Sequence, residues 1–224
     1  MTVTPSAWAV TDLRLSIGHL ILRPIVEPDL DTVGAGLPSD VELDPSIPQP
    51  FGLEPARARA VAIRQEYWRR LGAWTPAGWI LEFVVLRGTD ILGTQTLEAR
   101  DFAVRRTVET ASWLVTAARG QGIGKAMRTA VLALALDGLG AEVAETEAWA
   151  DNAASIGVSR ALGYEPNGTT RHVRFGGPGS LDPSSAVSGD MPRLRLDAHG
   201  WRSRTRPAVE ISGLDACRAW FGAS

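Results

Sequence analysis

The chain has 224 residues, 45% of them apolar and 21% charged, which suits one large globular domain or a domain with an extension, needing no metal or disulfide staple. A formal charge of -2 gives no overall pull toward nucleic acid, and the single cysteine, Cys217, excludes an intramolecular disulfide and suits a reducing cytoplasm. Met1 to Val10 lacks the basic-then-apolar pattern of a signal peptide, and the longest apolar run, Ala130 to Leu136, is far short of the roughly 20 residues that span a bilayer, so a cytoplasmic protein with no membrane partner is expected.

In chain order, His19-Leu20-Ile21-Leu22-Arg23 alternates as a strand does, and Glu27-Pro28-Asp29 opens a short helix. Leu37 to Pro55 holds five prolines and Gly52, which predicts a loop or broken turns. Ala56 to Leu71 predicts an amphipathic helix with Ala60, Ile63, Tyr67 and Leu71 on its apolar face, ended by Gly72. Trp79 to Leu86 and Ile91 to Glu98 read as strands around the turn Arg87-Gly88-Thr89-Asp90, and Thr107 to Val115 as a third. Gly124 to Leu136 predicts an apolar helix, Ala141 to Trp149 a strand, and Asn152 to Leu162 a helix closed by Gly163. Arg171 to Phe175 and Pro192 to Leu196 then predict two paired final strands, with Gly176 to Asp190 as a mobile loop between them. Beyond Arg202 lies a tail with a short strand, Ala208 to Ile211, and an amphipathic turn at Cys217 to Phe221. The order βα, β-meander, βαβα, β-hairpin makes a mixed α/β layer of α+β type, not a regular doubly wound fold.

The chemistry concentrates at Arg119-Gly120-Gln121-Gly122-Ile123-Gly124-Lys125, between a strand and a helix. Glycines let a backbone approach a ligand closely, and a helix start offers unpaired N–H groups and a positive dipole end, so a phosphate is the natural guest. A Walker loop fails twice, because Arg119 stands where its first glycine belongs and Ala126 follows the lysine. A dinucleotide fingerprint fails because the third glycine comes one residue early. What remains is the pattern R/Q-x-x-G-x-G, or a helix-entry turn that holds no ligand.

With its neighbours, this loop resembles the coenzyme A site of the GNAT family, in its ribosomal-protein N-acetyltransferase branch, over Leu13 to Arg202. His19-Leu-Ile-Leu-Arg-Pro-Ile25 is similar to that branch's opening strand. Glu109-Thr-Ala-Ser-Trp-Leu114 is similar to its E-x-G-Y-W-L strand, although Ala111 and Ser112 depart from Gly and Tyr. Asp151-Asn152-Ala-Ala-Ser155 followed by Leu162-Gly163-Tyr164 is similar to its N-x-x-S … L-G-F helix. The tail, at Trp201 and Cys217 to Gly222, resembles members that use succinyl-CoA. The resemblance implies the GNAT fold, a mixed central sheet flanked by helices, over residues 1–202. An extension, 203–224, would pack on the domain or at an oligomer interface.

It also implies an N-acyltransferase that moves an acetyl or succinyl group from acyl-CoA to a primary amine, on a protein or a small molecule, without a metal. Arg119, Gly120, Gln121, Gly122, Ile123, Gly124 and Lys125 would hold the pyrophosphate. Main-chain groups of Leu114, Val115 and Thr116, exposed where the strand parts from its neighbour, would hold the pantetheine and polarise the thioester. Glu109 would take the amine's proton, with Asp101 and Glu98 as alternatives; it could equally be an exposed strand residue or an anchor for substrate charge. Asn152 would bond the pantetheine arm, or be simply an N-cap. Ser155 would protonate the leaving sulfur, since Ser159 stands where many members have a tyrosine. Trp68, Trp74 and Trp79 are core or acceptor pocket. His19, His172 and His199 lack metal-ligand spacing, and Cys217 lacks an acid/base partner in sequence. The five arginines from Arg193 to Arg206 are a solvated edge or an anion or RNA contact. The contrasting reading is a non-catalytic acyl-CoA sensor of the same fold.

Overall fold

In the computed structural model, which describes residues 7–41, 53–175 and 183–223, the opening alternation makes a hairpin and not a lone strand. β1 (Arg14–Ile17) and β2 (Leu20–Pro24) pair so that Leu15 faces Leu22 and Ile17 faces Leu20, all four buried. A short turn of 3-10 helix leads into α1 (Leu30–Gly36), and α2 (Pro55–Gly72) follows. The meander β3 (Gly78–Arg87), β4 (Asp90–Arg100) and β5 (Thr107–Leu114) comes next, with the single turn α3 (Phe102–Arg105) before β5. Then come α4 (Ile123–Leu132), β6 (Val143–Glu147), α5 (Ala153–Ala161), β7 (Glu165–Phe175), β8 (Ala186–Asp197), α6 (Ala198–Arg202), β9 (Glu210–Ser212) and α7 (Leu214–Cys217). The strands form one nine-stranded sheet in the order β7-β8-β6-β5-β4-β3-β2-β1-β9. Among them only β5 and β6 pair in parallel.

The sheet has two unlike faces. α4 crosses one face over β1, β2, β4 and β5, and the larger apolar core lies there, with Leu97, Val108, Ala130 and Leu134 buried. α1 and α2 cover the other face over β4 and β3, on a small cluster of Ile25, Leu30, Val33 and Val84 with Trp113 against it. α2 uses most of the face expected of it: Ile63 and Tyr67 pack against that small cluster. Its buried positions are Ala58, Arg59, Ala62 and Glu66, whereas Leu71 is exposed. Polar contacts widen that face: Glu66 accepts hydrogen bonds from Arg69 and Arg70, and Arg59 donates to the Pro38 and Val41 carbonyls. That turns the polar residues inward.

The last hairpin also corrects the expectation. β7 and β8 are 11 and 12 residues long, and Arg171 to Phe175 pairs with Ala186 to Asp190 inside the expected loop, whereas Pro192 to Arg195 pairs with Glu165 to Thr169. Residues 186–190 are therefore strand, while 176–182 and most of the proline-rich stretch, 42–52, fall outside the described residues. The long helix ends in a wide turn at Ala133–Gly138. Its terminal groups are met by the tail: Arg202 and Arg218 donate to the Leu136 and Gly138 carbonyls, and Trp201 and Arg206 donate to Asp137. Cations at a helix C-terminus are favoured by the dipole and satisfy its orphan carbonyls. Three of the five clustered arginines are thus engaged, the third being Arg193 on Glu145.

Beyond residue 202 the chain adds β9 alongside β1 and buries Cys217 and Phe221. Trp79 donates to the Phe221 carbonyl and Trp74 to the Trp220 carbonyl, within a cluster that also holds Trp8 and Phe102. Trp74 and Trp79 pack in this cluster, and Trp79 also lines the cavity beside Glu98 and Glu109. Trp68 stays half exposed, with Arg64 above its ring.

Candidate active site

The glycine loop leaves β5 and enters α4 as its sequence requires. Gly120 and Gly122 have φ of 73° and 77°, a region that L side chains rarely adopt, and a Cβ at either would meet nothing within 4 Å. Gly122 caps α4, and the first helical bond runs from the Ala126 N–H to its carbonyl. The amides of Ile123, Gly124 and Lys125 are therefore the free first-turn donors. Lys125 is exposed at this end, and Gln121 donates to the Ala117 carbonyl while accepting from Arg87. Arg119 forms a two-point ion pair with Asp40, at 2.5 and 2.8 Å, and donates to the Leu114 carbonyl. The hydrogen bonds between them, helped by the opposite charges, raise the guanidinium's pKa and hold the carboxyl low.

Next to the loop the two parallel strands part. Main-chain pairing of β5 with β6 stops at Glu109 opposite Glu145, although β5 runs on to Leu114 and β6 to Glu147. One residue further, the Thr146 hydroxyl donates to the Thr110 carbonyl at 2.9 Å in place of a ladder bond. On its other edge β5 stays paired with β4 up to Gly93 opposite Leu114. Val115 extends that edge, its N–H donating to the Leu92 carbonyl at 2.8 Å, so this amide is already used. Because edges alternate along a strand, the main-chain groups of Ser112 and Leu114 face the gap. Gly93 lets β4 lie this close to β5: a Cβ there would lie 2.2 Å from the Trp113 carbonyl oxygen.

The faces of this wedge differ in chemistry. Toward α2, Glu98 and Glu109 stand directly opposite each other on β4 and β5 and line a cavity of about 300 Å³ with Arg69, Arg70, Ile80 and Arg105. Burial, reinforced by the charge of Glu109, pushes the Glu98 carboxyl above its usual range. Asp101, the other alternative base, is exposed at a left-handed backbone position before α3 and is not among the cavity's lining residues.

Toward α4, Asn152 is the N-cap of α5, its side chain accepting the Ser155 N–H at 3.0 Å. Ser155 is half-buried, and its carbonyl accepts the Ser159 hydroxyl. Ser159 is itself buried and accepts from Arg128, a residue the sequence reading passed over. Arg128 lies three and four residues before Val131 and Leu132, on the buried stripe of an apolar helix, and that placement was the available signal. Glu109 and Ser155 thus sit on opposite faces of the sheet, with the parted strands between them. Cys217, buried in the tail, has its thiol pushed by burial up to about 11. Among the described residues no three His, Cys, Asp or Glu side chains gather as metal ligands would, and no helix is long and apolar enough to cross a membrane.

Set beside known proteins, residues 19–165 match the acetyltransferase (GNAT) domain. Among solved structures, the chain is similar to RimJ of Mycobacterium smegmatis in complex with CoA-disulfide, with 15% identity over 87% of this chain and 95% of that one and a TM-score of 0.62. A spermidine N-acetyltransferase SpeG chimera from Vibrio cholerae and hSSAT shares 14% identity over 84% of this chain and 100% of that one, with a TM-score of 0.60. A GNAT-family acetyltransferase from Bacillus anthracis shares 12% identity over 83% and 99%, with a TM-score of 0.58. At such identities the likeness is one of fold.

Proposed function

The chain belongs to the GNAT acetyltransferase family and has its fold, and from that premise we propose that it transfers an acyl group, acetyl or succinyl, from acyl-CoA to a primary amine. The observation that carries this reading is the parting of β5 from β6 beside the glycine loop, with two carboxylates on one side of the gap and the start of α5 on the other.

The residues present fit a coenzyme A donor. Three free amides at the start of α4, a loop with room for close approach, and exposed Lys125 suit a pyrophosphate. Main-chain groups of Ser112 and Leu114 on the open edge of β5, with the Asn152 amide, suit the pantetheine arm. When bound, the donor supplies the activated acyl group as a thioester. An acceptor ammonium entering the cavity from the α2 side meets Glu98 and Glu109, which attract its charge. Glu109 removes one proton from it, and the freed amine's lone pair forms the new bond to the acyl carbon as the bond to sulfur breaks. The Ser155 hydroxyl supplies the proton that the sulfur takes and is restored by the second proton, which the nitrogen sheds as it becomes the amide. Glu98, the carboxyl pushed upward, is the second candidate for the base, because a raised pKa brings a carboxylate closer to neutral pH.

The spermidine N-acetyltransferase among the neighbours makes a small polyamine the acceptor to try first, beside a protein N-terminus and a lysine. Turnover with acetyl-CoA across such an amine panel is expected, with kcat/KM falling on the acid side as the base protonates. Tight coenzyme A binding without turnover on any amine would instead favour a non-catalytic acyl-CoA sensor.

A further inference from the structure

The cavity beside Glu98 and Glu109 is lined by four arginines as well as by those two carboxylates, and the four are not alike. Arg69 and Arg70 are both engaged by Glu66, and Arg70 reaches Glu82 as well. Arg100 and Arg105 are exposed, and among the described residues neither side chain makes an ion pair or a hydrogen bond.

Their positions sort the cavity by charge. Glu98 and Arg100 are two residues apart on β4, and Glu109 and Thr107 two apart on β5, so each pair shares a face, about 7 Å apart along its strand. Register puts Glu98 directly against Glu109, at the point where β5 parts from β6. Past Arg100 the chain turns through α3, which carries Arg105 and leads back into β5. The Arg105 carbonyl accepts the Thr107 hydroxyl at 2.9 Å, which ties that turn to the start of the strand. The carboxylates therefore stand inside the sheet, and the two uncommitted cations stand at the strand ends around α3.

A ligand carrying both charges satisfies both ends of such a cavity. A polyamine satisfies the carboxylates but sets its far ammonium against the arginines, and like charges so placed work against binding. We propose that the acceptor is a small amine that also carries an anion, carboxylate or phosphate, a few carbons from its nitrogen. The nitrogen lies at Glu98 and Glu109, and the anion at Arg100 and Arg105. The assignment rests on this cavity being the acceptor side of an acyltransferase, and its volume of about 300 Å³ suits a small molecule.

The test is steady-state turnover with acetyl-CoA on the full chain, across amines of similar length that differ at the far end. These are 4-aminobutyrate with a carboxylate, butylamine with a methyl, 1,4-diaminobutane with a second ammonium, and O-phosphoethanolamine with a phosphate. For one or both anionic amines kcat/KM is expected to exceed that of butylamine about tenfold to a hundredfold, mostly through KM, as a charge-assisted contact provides. The better of the two tells carboxylate from phosphate, and 1,4-diaminobutane should fall below butylamine. Replacing both cations, Arg100→Gln with Arg105→Gln, should bring the ratio of anionic amine to butylamine close to one. Arg100→Glu with Arg105→Glu should go further and move the preference to 1,4-diaminobutane, a reversal that damage to the fold would not produce. Equal turnover of the four amines, or faster turnover of spermidine or a peptide N-terminus, overturns the proposal and leaves the acyltransferase standing. A preference that survives both double variants overturns it as well. Turnover of no amine at all overturns this proposal together with the function it rests on.

Discussion

The two faces of the sheet treat buried charge differently. On the α2 face Glu66, buried on the helix, accepts hydrogen bonds from both Arg69 and Arg70, and Arg70 goes on to Glu82. Near it Asp29 is clasped by two nitrogens of Arg23 and by the Val26 amide. In both carboxyls burial pushes the pKa up, yet the bonds prevail and hold it below the ordinary range. On the α4 face Arg128 is buried more deeply and faces only hydroxyls. On the α2 face too there is an exception: Glu98 stands opposite Glu109, and its burial and that charge outweigh the pull of Arg70 and Arg100. Glu145, where β5 and β6 part, is matched by Arg193, whereas Arg128 and Glu98 make no ion pair among the described residues. A protein neutralises the charges it needs for shape, and a charge left without its opposite marks where a ligand supplies the rest.

The sharpest way to break this comparison is to neutralise a charge said to work. Glu109→Gln should lower kcat/KM by roughly 10²- to 10⁴-fold and remove the acid limb of the pH–rate profile. An unchanged limb hands the base role to Glu98. Next in size is the close approach of β4 to β5 beside the glycine loop. Gly93→Ala forces a Cβ against the Trp113 carbonyl at a φ of 153°, and should cost roughly 2–4 kcal/mol in a urea melt. Wild-type stability there would mean that β4 and β5 can slide, and that the gap beside Leu114 is not fixed. Arg128→Met then tests the unmatched charge itself. Swapping a buried, uncompensated guanidinium for an apolar chain of similar length should be neutral or stabilising by about 1–4 kcal/mol. Thr146 and Ser159 keep their own acceptors, so the change strands neither hydroxyl. A large loss of stability would make Arg128 a structural residue.

Much of this was legible in the chain, and the gaps have physical causes. Glycines at 120, 122 and 124 have few roles outside a helix-entry loop, so the loop and the strand before it read directly. Glu109 and Asn152 were placed by motif, yet Asn152 also proves a plain N-cap, which no motif could separate from a ligand role. On α2 apolar periodicity found Ile63 and Tyr67 but overreached at Leu71, and it could not see the polar contacts that bring Glu66 and Arg59 inward beside them. The final hairpin was read short because Gly189, packed tightly against Trp149, resembles loop composition. Arg128 was missed because a charge on an apolar stripe carries no sign of whether a partner awaits it. Only the strands around it answer that.

The smallest effect is the most diagnostic of the comparison, because its sign differs between two glutamates. Glu66 has its folded pKa depressed, so its contribution is present above the unfolded value near ~4.3 and is lost as pH falls through the folded one. Glu98 has its folded pKa raised, so the folded state favours its protonated form; that advantage is whole below ~4.3 and is lost as pH rises through the folded value. Glu66→Gln should therefore destabilise at neutral pH, on the order of 1 kcal/mol since Arg69 is largely exposed, and become harmless in acid. Glu98→Gln should stabilise at neutral pH and lose that advantage in acid. Urea midpoints of both variants against wild type, followed from neutral pH down through the carboxylate range, should give differences of opposite sign that shrink together. Differences of the same sign would mean that Glu98 finds a cation in solution, and that the paired carboxylates are another matched site and not one kept for an ammonium.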